Sequence, residues 1–175
     1  MASSITRPQV SLYKPTNDEF SVRYGSTYLP AGKNAEVSNI ICNQDDDVAI
    51  LQLNNPMQPS ENWAVATLAQ NSTPSTKKTA TIVGWGSTEQ NGPITYQLRE
   101  LTVEIYPKCW PRTICFGSLQ GGLCKGDSGS PVMMDNTVIG VNSFITSLNC
   151  ESSSVKNPNG AVDISKIYPW IFKNI

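Results

Sequence analysis

Between turn-rich stretches this chain repeatedly places short runs that are either wholly apolar or alternate between apolar and polar residues. Runs of that length and period commit most of the backbone to strands, because a period of two separates side chains onto the two faces of a sheet. The cleanest example is Arg99 to Ile105, where Leu101, Val103 and Ile105 share one face and Glu100, Thr102 and Glu104 the other. Thr79 to Trp85 is rich in β-branched residues and reads as another strand. Val48 to Leu53 reads as a buried one. Pro131 to Met134 and Val138 to Phe144 read as a hairpin around Asp135-Asn136, two residues that tolerate positive φ. Only the tail, Ser165 to Ile175, has apolar residues at helical spacing (Ile167, Trp170, Ile171), and Pro169 is expected to confine that helix to a start near itself. The expectation is an all-β chain with a short C-terminal helix. Its 12 Gly and 12 Pro supply the turns, and 39% apolar residues are enough for a core in 175 residues. Asn71 to Thr79, rich in Ser and Thr, reads as a linker between two halves.

Charge excludes several functions. Charged residues are 15% of the chain and the formal net charge is −1, so no basic surface for nucleic acid is expected. No run approaches the roughly 18 consecutive apolar residues of a membrane span, and Met1 to Gln9 has no apolar segment of the kind that directs secretion. There is no histidine at all, which removes every mechanism that needs an imidazole base or ligand from this chain acting alone. The five cysteines are Cys42, Cys109, Cys115, Cys124 and Cys150. Their spacings do not suit a zinc finger, no histidine can complete a mixed site, and no metal is expected. Four of the five lie in the C-terminal half, as in a disulfide-bonded region from an oxidising compartment. One glycosylation sequon, Asn71-Ser72-Thr73, is present.

One segment carries chemistry. In Gly126-Asp127-Ser128-Gly129-Ser130-Pro131 a serine sits between two glycines just ahead of an apolar strand. Glycines allow the tight backbone turn that exposes a nucleophile and lets a carbonyl approach. The backbone N–H groups of Gly126 and Ser128 could then converge on the oxyanion of a tetrahedral intermediate. The plainer alternative is that the segment is simply a turn.

Its surroundings favour chemistry. The segment resembles the nucleophile loop GDSGGP of the trypsin/chymotrypsin family of serine endopeptidases, with Ser130 in place of the last glycine. Asp47-Val48-Ala49-Ile50-Leu51 resembles the strand that carries the family's buried triad aspartate. Gly84-Trp85-Gly86 resembles the start of its second barrel, and Tyr168-Pro169-Trp170-Ile171 its terminal helix. The resemblance implies two antiparallel β-barrels with a cleft between them: residues 1–70 a partial first barrel, 71–79 the linker, 80–175 the second barrel with the helix. It implies the disulfides Cys109–Cys115 and Cys124–Cys150, leaving Cys42 as a free thiol or an intermolecular bridge. It also implies no cofactor, an extracellular location, a monomer, and protein or peptide substrates or inhibitors as partners, with neither nucleic acid nor membrane.

In the family, the triad runs His, Asp, Ser, with the base about 45 residues ahead of the aspartate. Counting back from Asp47 reaches the start of this sequence, so the segment resembling T-A-A-H-C is expected to be absent rather than altered, its place falling just before Met1, and the first barrel is expected to show unpaired sheet edges. Ser128 and Asp47 take the two remaining triad places. Asp127 takes the place of the carboxylate that receives an activation ammonium. With Met1 arriving elsewhere, that carboxylate is expected to turn out to solvent, because burying it unpaired would cost several kcal/mol. By the same resemblance Gly122 stands at the floor of the primary pocket, Ser143-Phe144-Ile145 along one wall and Gly160 on the opposite wall. No carboxylate at the floor disfavours Arg or Lys in the substrate. Ile145 either crowds the entrance or marks a shifted loop. The expected function is a serine endopeptidase homologue, non-catalytic as given and acting as a binding pseudoprotease. The alternatives are a fragment of an active secreted endopeptidase with a shallow apolar pocket, and an unrelated β-rich binding module.

Overall fold

The computed structural model describes residues 20–58, 60–71, 78–107, 109–146, 150, 153–154 and 156–175. Met1 to Gln9 and most of the expected linker lie outside them, as do two residues of the sequon, whose Asn71 is exposed. Among the described residues ten strands and one α-helix follow in chain order, with a single 3₁₀ turn at Leu29–Ala31. They are β1 (Ser21–Tyr24), β2 (Lys33–Cys42), β3 (Ala49–Leu53), β4 (Thr67–Leu68), β5 (Thr79–Gly84), β6 (Arg99–Tyr106), β7 (Thr113–Gly117), β8 (Pro131–Met134), β9 (Thr137–Phe144), β10 (Asn159–Asp163) and α1 (Ile164–Asn174).

Six strands close on themselves. The order β10-β7-β6-β5-β8-β9 is completed by pairing of β9 with β10, so each of these strands has a neighbour on both sides. Closure removes the free edges that an open sheet would present. The interior is filled by Ile82, Val103, Ile105, Phe116, Val132 and Ile139 among others, with Phe116 fully buried. Alternation along β6 matches its burial: Val103 and Ile105 point into the barrel while Thr102 and Glu104 are exposed. At the tip of the β8–β9 hairpin Asp135 and Asn136 have φ of 49° and 61°. Positive φ at both central residues is what a two-residue hairpin turn requires.

The first part of the chain makes a three-stranded antiparallel sheet, β1-β2-β3, in which β1 and β3 each have one strand neighbour. Val48 to Leu53 is therefore not a buried strand. Ala49, Leu51 and Gln52 are exposed, and Leu51 retains 40% of its surface, because β3 is covered on one side by β2 and nothing among the described residues pairs with its other edge. Ile50 and Val48 instead pack beneath α1, in a second apolar cluster with Val138, Val162, Ile164, Ile167 and Ile171. The two sheets are thus joined through the helix. The short strand β4 pairs in parallel with β9.

Pro169 does not mark the start of α1; it lies inside the helix. The start is set by Asp163, whose side chain accepts a hydrogen bond from the Ser165 amide at 2.9 Å and so satisfies one of the free donors of the first turn. Burial of Ile164, Ile167 and Ile171 anchors both sides of the proline. This apolar contact offsets the backbone hydrogen bond that proline forfeits.

Replacing Phe116 by Ala should leave a cavity at the centre of the barrel. The expected loss of stability is about 3–5 kcal/mol, read as a lower denaturant midpoint with an unchanged slope.

Candidate functional site

Gly126 and Gly129 adopt φ of 96° and 84°, values that side-chain-bearing residues rarely take. Between them Ser128 is carried outward and is exposed. Three bonds of 2.8 Å fasten this loop to β9 at one residue: the Gly129 amide donates to the Asn142 carbonyl, the Asn142 amide to the Ser130 carbonyl, and the Asn142 side chain to the Asp127 carbonyl. Neither the Gly126 amide nor the Ser128 amide has an acceptor among the described residues. Both therefore stand next to the serine with their hydrogen-bonding capacity unspent.

Asp127 is turned inward rather than out to solvent. Its Oδ1 accepts from the Gly86 amide and its Oδ2 from the Cys124 amide, each at 3.0 Å. The expectation of an outward carboxylate assumed that nothing but an ammonium could compensate it. Two backbone N–H groups do so here, and hydrogen bonds to a charged acceptor are about twice as strong as neutral ones. Space for the turn comes from Gly84 and Gly86, where any Cβ would collide with the Asp127 carboxylate. Asp127, Gly84, Gly86 and Gly122 line one cleft of about 270 Å³, together with Arg99 and Glu100.

Asp47 stands at the end of the loop between β2 and β3. Asn43 shapes that loop by accepting from the Asp45 and Asp46 amides through its side chain. Arg112, from the loop before β7, ties it to the closed barrel: its Nε lies 3.0 and 3.2 Å from the two Asp46 carboxylate oxygens, and its Nη2 bonds the second of them. The Asp46 carboxylate in turn raises the Arg112 guanidinium above its ordinary value. Held there, exposed Asp47 accepts a 2.7 Å hydrogen bond from the Ser143 hydroxyl on β9. No local pattern signals that contact, since the resemblance gives Ser143 only a place on a pocket wall. Asp47 and Ser128 share no hydrogen bond.

The remaining pocket residues do not line one cavity. Gly122 faces the cleft beside Asp127. Ile145 packs against the barrel core. Phe144 lies opposite Gly160 across the β9–β10 pair, after a register shift, and its ring covers the glycine. Disulfides join Cys109 to Cys115 and Cys124 to Cys150, and Cys42 is a free, exposed thiol. Among the described residues no group of His, Cys, Asp and Glu is arranged to hold a metal ion.

Comparison with known proteins adds to this geometry. The family profile described as Trypsin matches residues 12–171. A relative from Anopheles gambiae, "Serine protease SP24D", is 33% identical over 84% of this chain and 58% of its own length. The chain spans about half the length of the curated relatives it matches. Among solved structures, neuropsin, a serine protease of mouse brain, superposes with a TM-score of 0.76 at 24% identity, covering 88% of this chain and 78% of its own. The scabies mite inactivated protease paralogue S-D1 gives 0.77 at 18%, covering 91% and 77%. At those identities the likeness is one of fold: the closed barrel, the second sheet and the C-terminal helix are those of chymotrypsin-like proteases.

Gly86→Ala should displace the Asp127 carboxylate, since the new methyl group would take its place. The expected result is faster hydrogen exchange at the Cys124 amide with the barrel core still protected. Unchanged exchange at Cys124 would count against the described clasp.

Proposed function

The chain belongs to the trypsin family of serine proteases, and from that premise we propose that this polypeptide is a non-catalytic serine endopeptidase homologue that binds a protein or peptide partner. The single observation that carries the proposal is the absence of histidine from all 175 residues. An alcohol such as that of Ser128 is a poor nucleophile until an adjacent base takes its proton. Asp47, which holds the orienting place of the triad, has its Oδ2 engaged by Ser143 and makes no bond to Ser128. Loss of the base alone can cost on the order of 10⁶ in kcat, leaving only what the oxyanion donors and binding supply.

In this reading residues 1–175 form one trypsin-like domain: 1–70 the first-barrel part, 71–79 the linker, 80–175 the second barrel. The amides of Gly126 and Ser128 form an oxyanion-type pocket that binds a partner's carbonyl without cleaving beside it. Asp127 braces the loop from below. Of the expected subsite residues Gly122, Ser143, Phe144, Ile145 and Gly160, only Phe144 and Gly160 face each other, and the side-chain subsite in this reading is the apolar place they mark, without a floor carboxylate. The two disulfides support an extracellular location. The inactivated mite paralogue supplies a precedent for the fold persisting without protease activity.

One observation favours a second reading. Ser128 and Asp47 are retained with an exposed serine and unspent amides beside it, and the chain spans about half the length of its curated relatives. A longer polypeptide in which an upstream segment supplies the imidazole would make this chain part of a working endopeptidase. An in-frame upstream segment encoding T-A-A-H-C would decide for that reading.

For the polypeptide as given, peptide-ester hydrolysis should stay at the background rate and be the same for wild type and Ser128→Ala. Turnover that Ser128→Ala abolishes would overturn the non-catalytic assignment.

A further inference from the structure

We infer that β3 is a pairing edge for a second copy of this chain. Two protomers join β3 to β3 in antiparallel sense about a two-fold axis at Leu51, in place of the monomer that resemblance to the family implies. The inference is independent of the partner-binding reading above.

Among the described residues β3 has β2 as its one strand neighbour. Hydrogen bonds at its two ends fix which of its backbone groups face that neighbour. The Asn43 amide donates to the Val48 carbonyl and the Asn54 amide to the Glu36 carbonyl, so the even-numbered residues from Val48 to Asn54 bond towards β2. The register shift in this pair falls on β2, between Val37 and Asn39, and leaves the alternation of β3 intact. Ala49, Leu51 and Leu53 therefore direct their N–H and C=O groups to the open side. Val48 and Ile50 pack beneath α1, so the side chains of Ala49, Leu51 and Leu53 lie on the face away from the helix. Ala49 and Leu51 are exposed there, beside exposed Cys42 and half-buried Ile40 of β2.

Edge strands commonly carry a charge or a proline that discourages such pairing. β1, at the other edge of the sheet, carries Arg23, whose guanidinium reaches the carbonyls of Leu29 and Pro30. β3 is Ala-Ile-Leu-Gln-Leu and has neither device. It is also self-complementary. About an axis at Leu51, Leu51 faces its own copy, Ala49 faces Leu53 and Ile50 faces Gln52. Asp47 then falls opposite Asn55, so the acidic run Asp45-Asp46-Asp47 meets uncharged Asn54, Asn55 and Pro56. The two Asp47 stand about 27 Å apart along the strands, well beyond the screening length of about 8 Å. An axis at Ile50 would instead set Asp47 against Leu53. A strand this short buries less than the roughly 1,200 Å² of a standard interface, so the dimer is reversible, with a dissociation constant of about 10–200 μM. Three strand spacings and four residue steps place the two Cys42 about 20 Å apart. That is too far for a disulfide, so the association does not depend on oxidation.

Sedimentation velocity of the wild-type protein in reductant, over about 5–500 μM, should show a monomer passing to a dimer. Leu51→Lys and Leu51→Glu put like charges on the axis, and each should dimerise at least about tenfold more weakly. An equimolar mixture of the two variants should regain wild-type association, because each Lys then meets a Glu. A wild-type protein that stays monomeric throughout, a dimer that reductant abolishes, single variants that associate as wild type does, or a mixture that stays monomeric would each overturn the inference. Should either variant fail to fold, a nitroxide on Cys42 of the otherwise wild-type protein decides the matter. Pulsed electron paramagnetic resonance should give about 20–30 Å between labels, fading on dilution. The absence of that distance at the highest concentration would overturn the pairing.

Discussion

The pairing of β9 with β10 is the contact on which the rest depends. It turns a row of six strands into a barrel, and closure removes the two open edges that the row would otherwise present. β9 then serves three further purposes. Its first residues, Thr137 and Val138, receive β4, Asn142 fastens the loop that displays Ser128, and Ser143 meets Asp47 from the other sheet. Phe144, at the end of the same strand, covers Gly160 after the register shifts. A strand with so many obligations tolerates little movement, which explains how a loop with two positive-φ glycines keeps one shape.

The second organising constraint is electrostatic. Asp127 has its carboxylate turned into the protein without a cationic partner among the described residues, and two backbone amides compensate it. Gly84 and Gly86 make the approach possible by having no Cβ. Asp46 follows a different solution, pairing with Arg112 across the gap between the two sheets. This pair and the apolar cluster under α1 are the ties that bring Asp47 to Ser143. The Asp46 side chain keeps only 7% of its surface and is held by both Nε and Nη2 of Arg112, so this pair and the apolar contact of Val48 and Ile50 with the helix together secure that junction.

Much of the architecture was legible in local pattern. The alternation of Leu101, Val103 and Ile105 specified the inner face of β6, and Asp135-Asn136 specified a hairpin turn, because both depend on neighbouring residues alone. The turn that displays Ser128 is legible for the same reason, Gly126 and Gly129 standing where positive φ is needed. Pro169 misled, because the penalty for proline is local whereas burial of Ile164, Ile167 and Ile171 is not. Val48 to Leu53 reads as buried yet is partly exposed, because apolar content does not reveal how many neighbours a strand will have. The inward turn of Asp127 could not be read either, since its two donors lie at Gly86 and Cys124, one of them far away in sequence.

By itself the sequence determined the class of fold, the family, a serine flanked by turn-forming glycines and the absence of histidine from these 175 residues. Each follows from residue identity or short-range spacing. The tertiary structure decided which groups meet: Ser143 with Asp47, Asn142 with the nucleophile loop, Asp127 with the amides of Gly86 and Cys124, and the Phe144 ring with Gly160. Such meetings depend on barrel closure and strand register, which are set by the sum of many weak packing contacts and are written in no single segment of the chain.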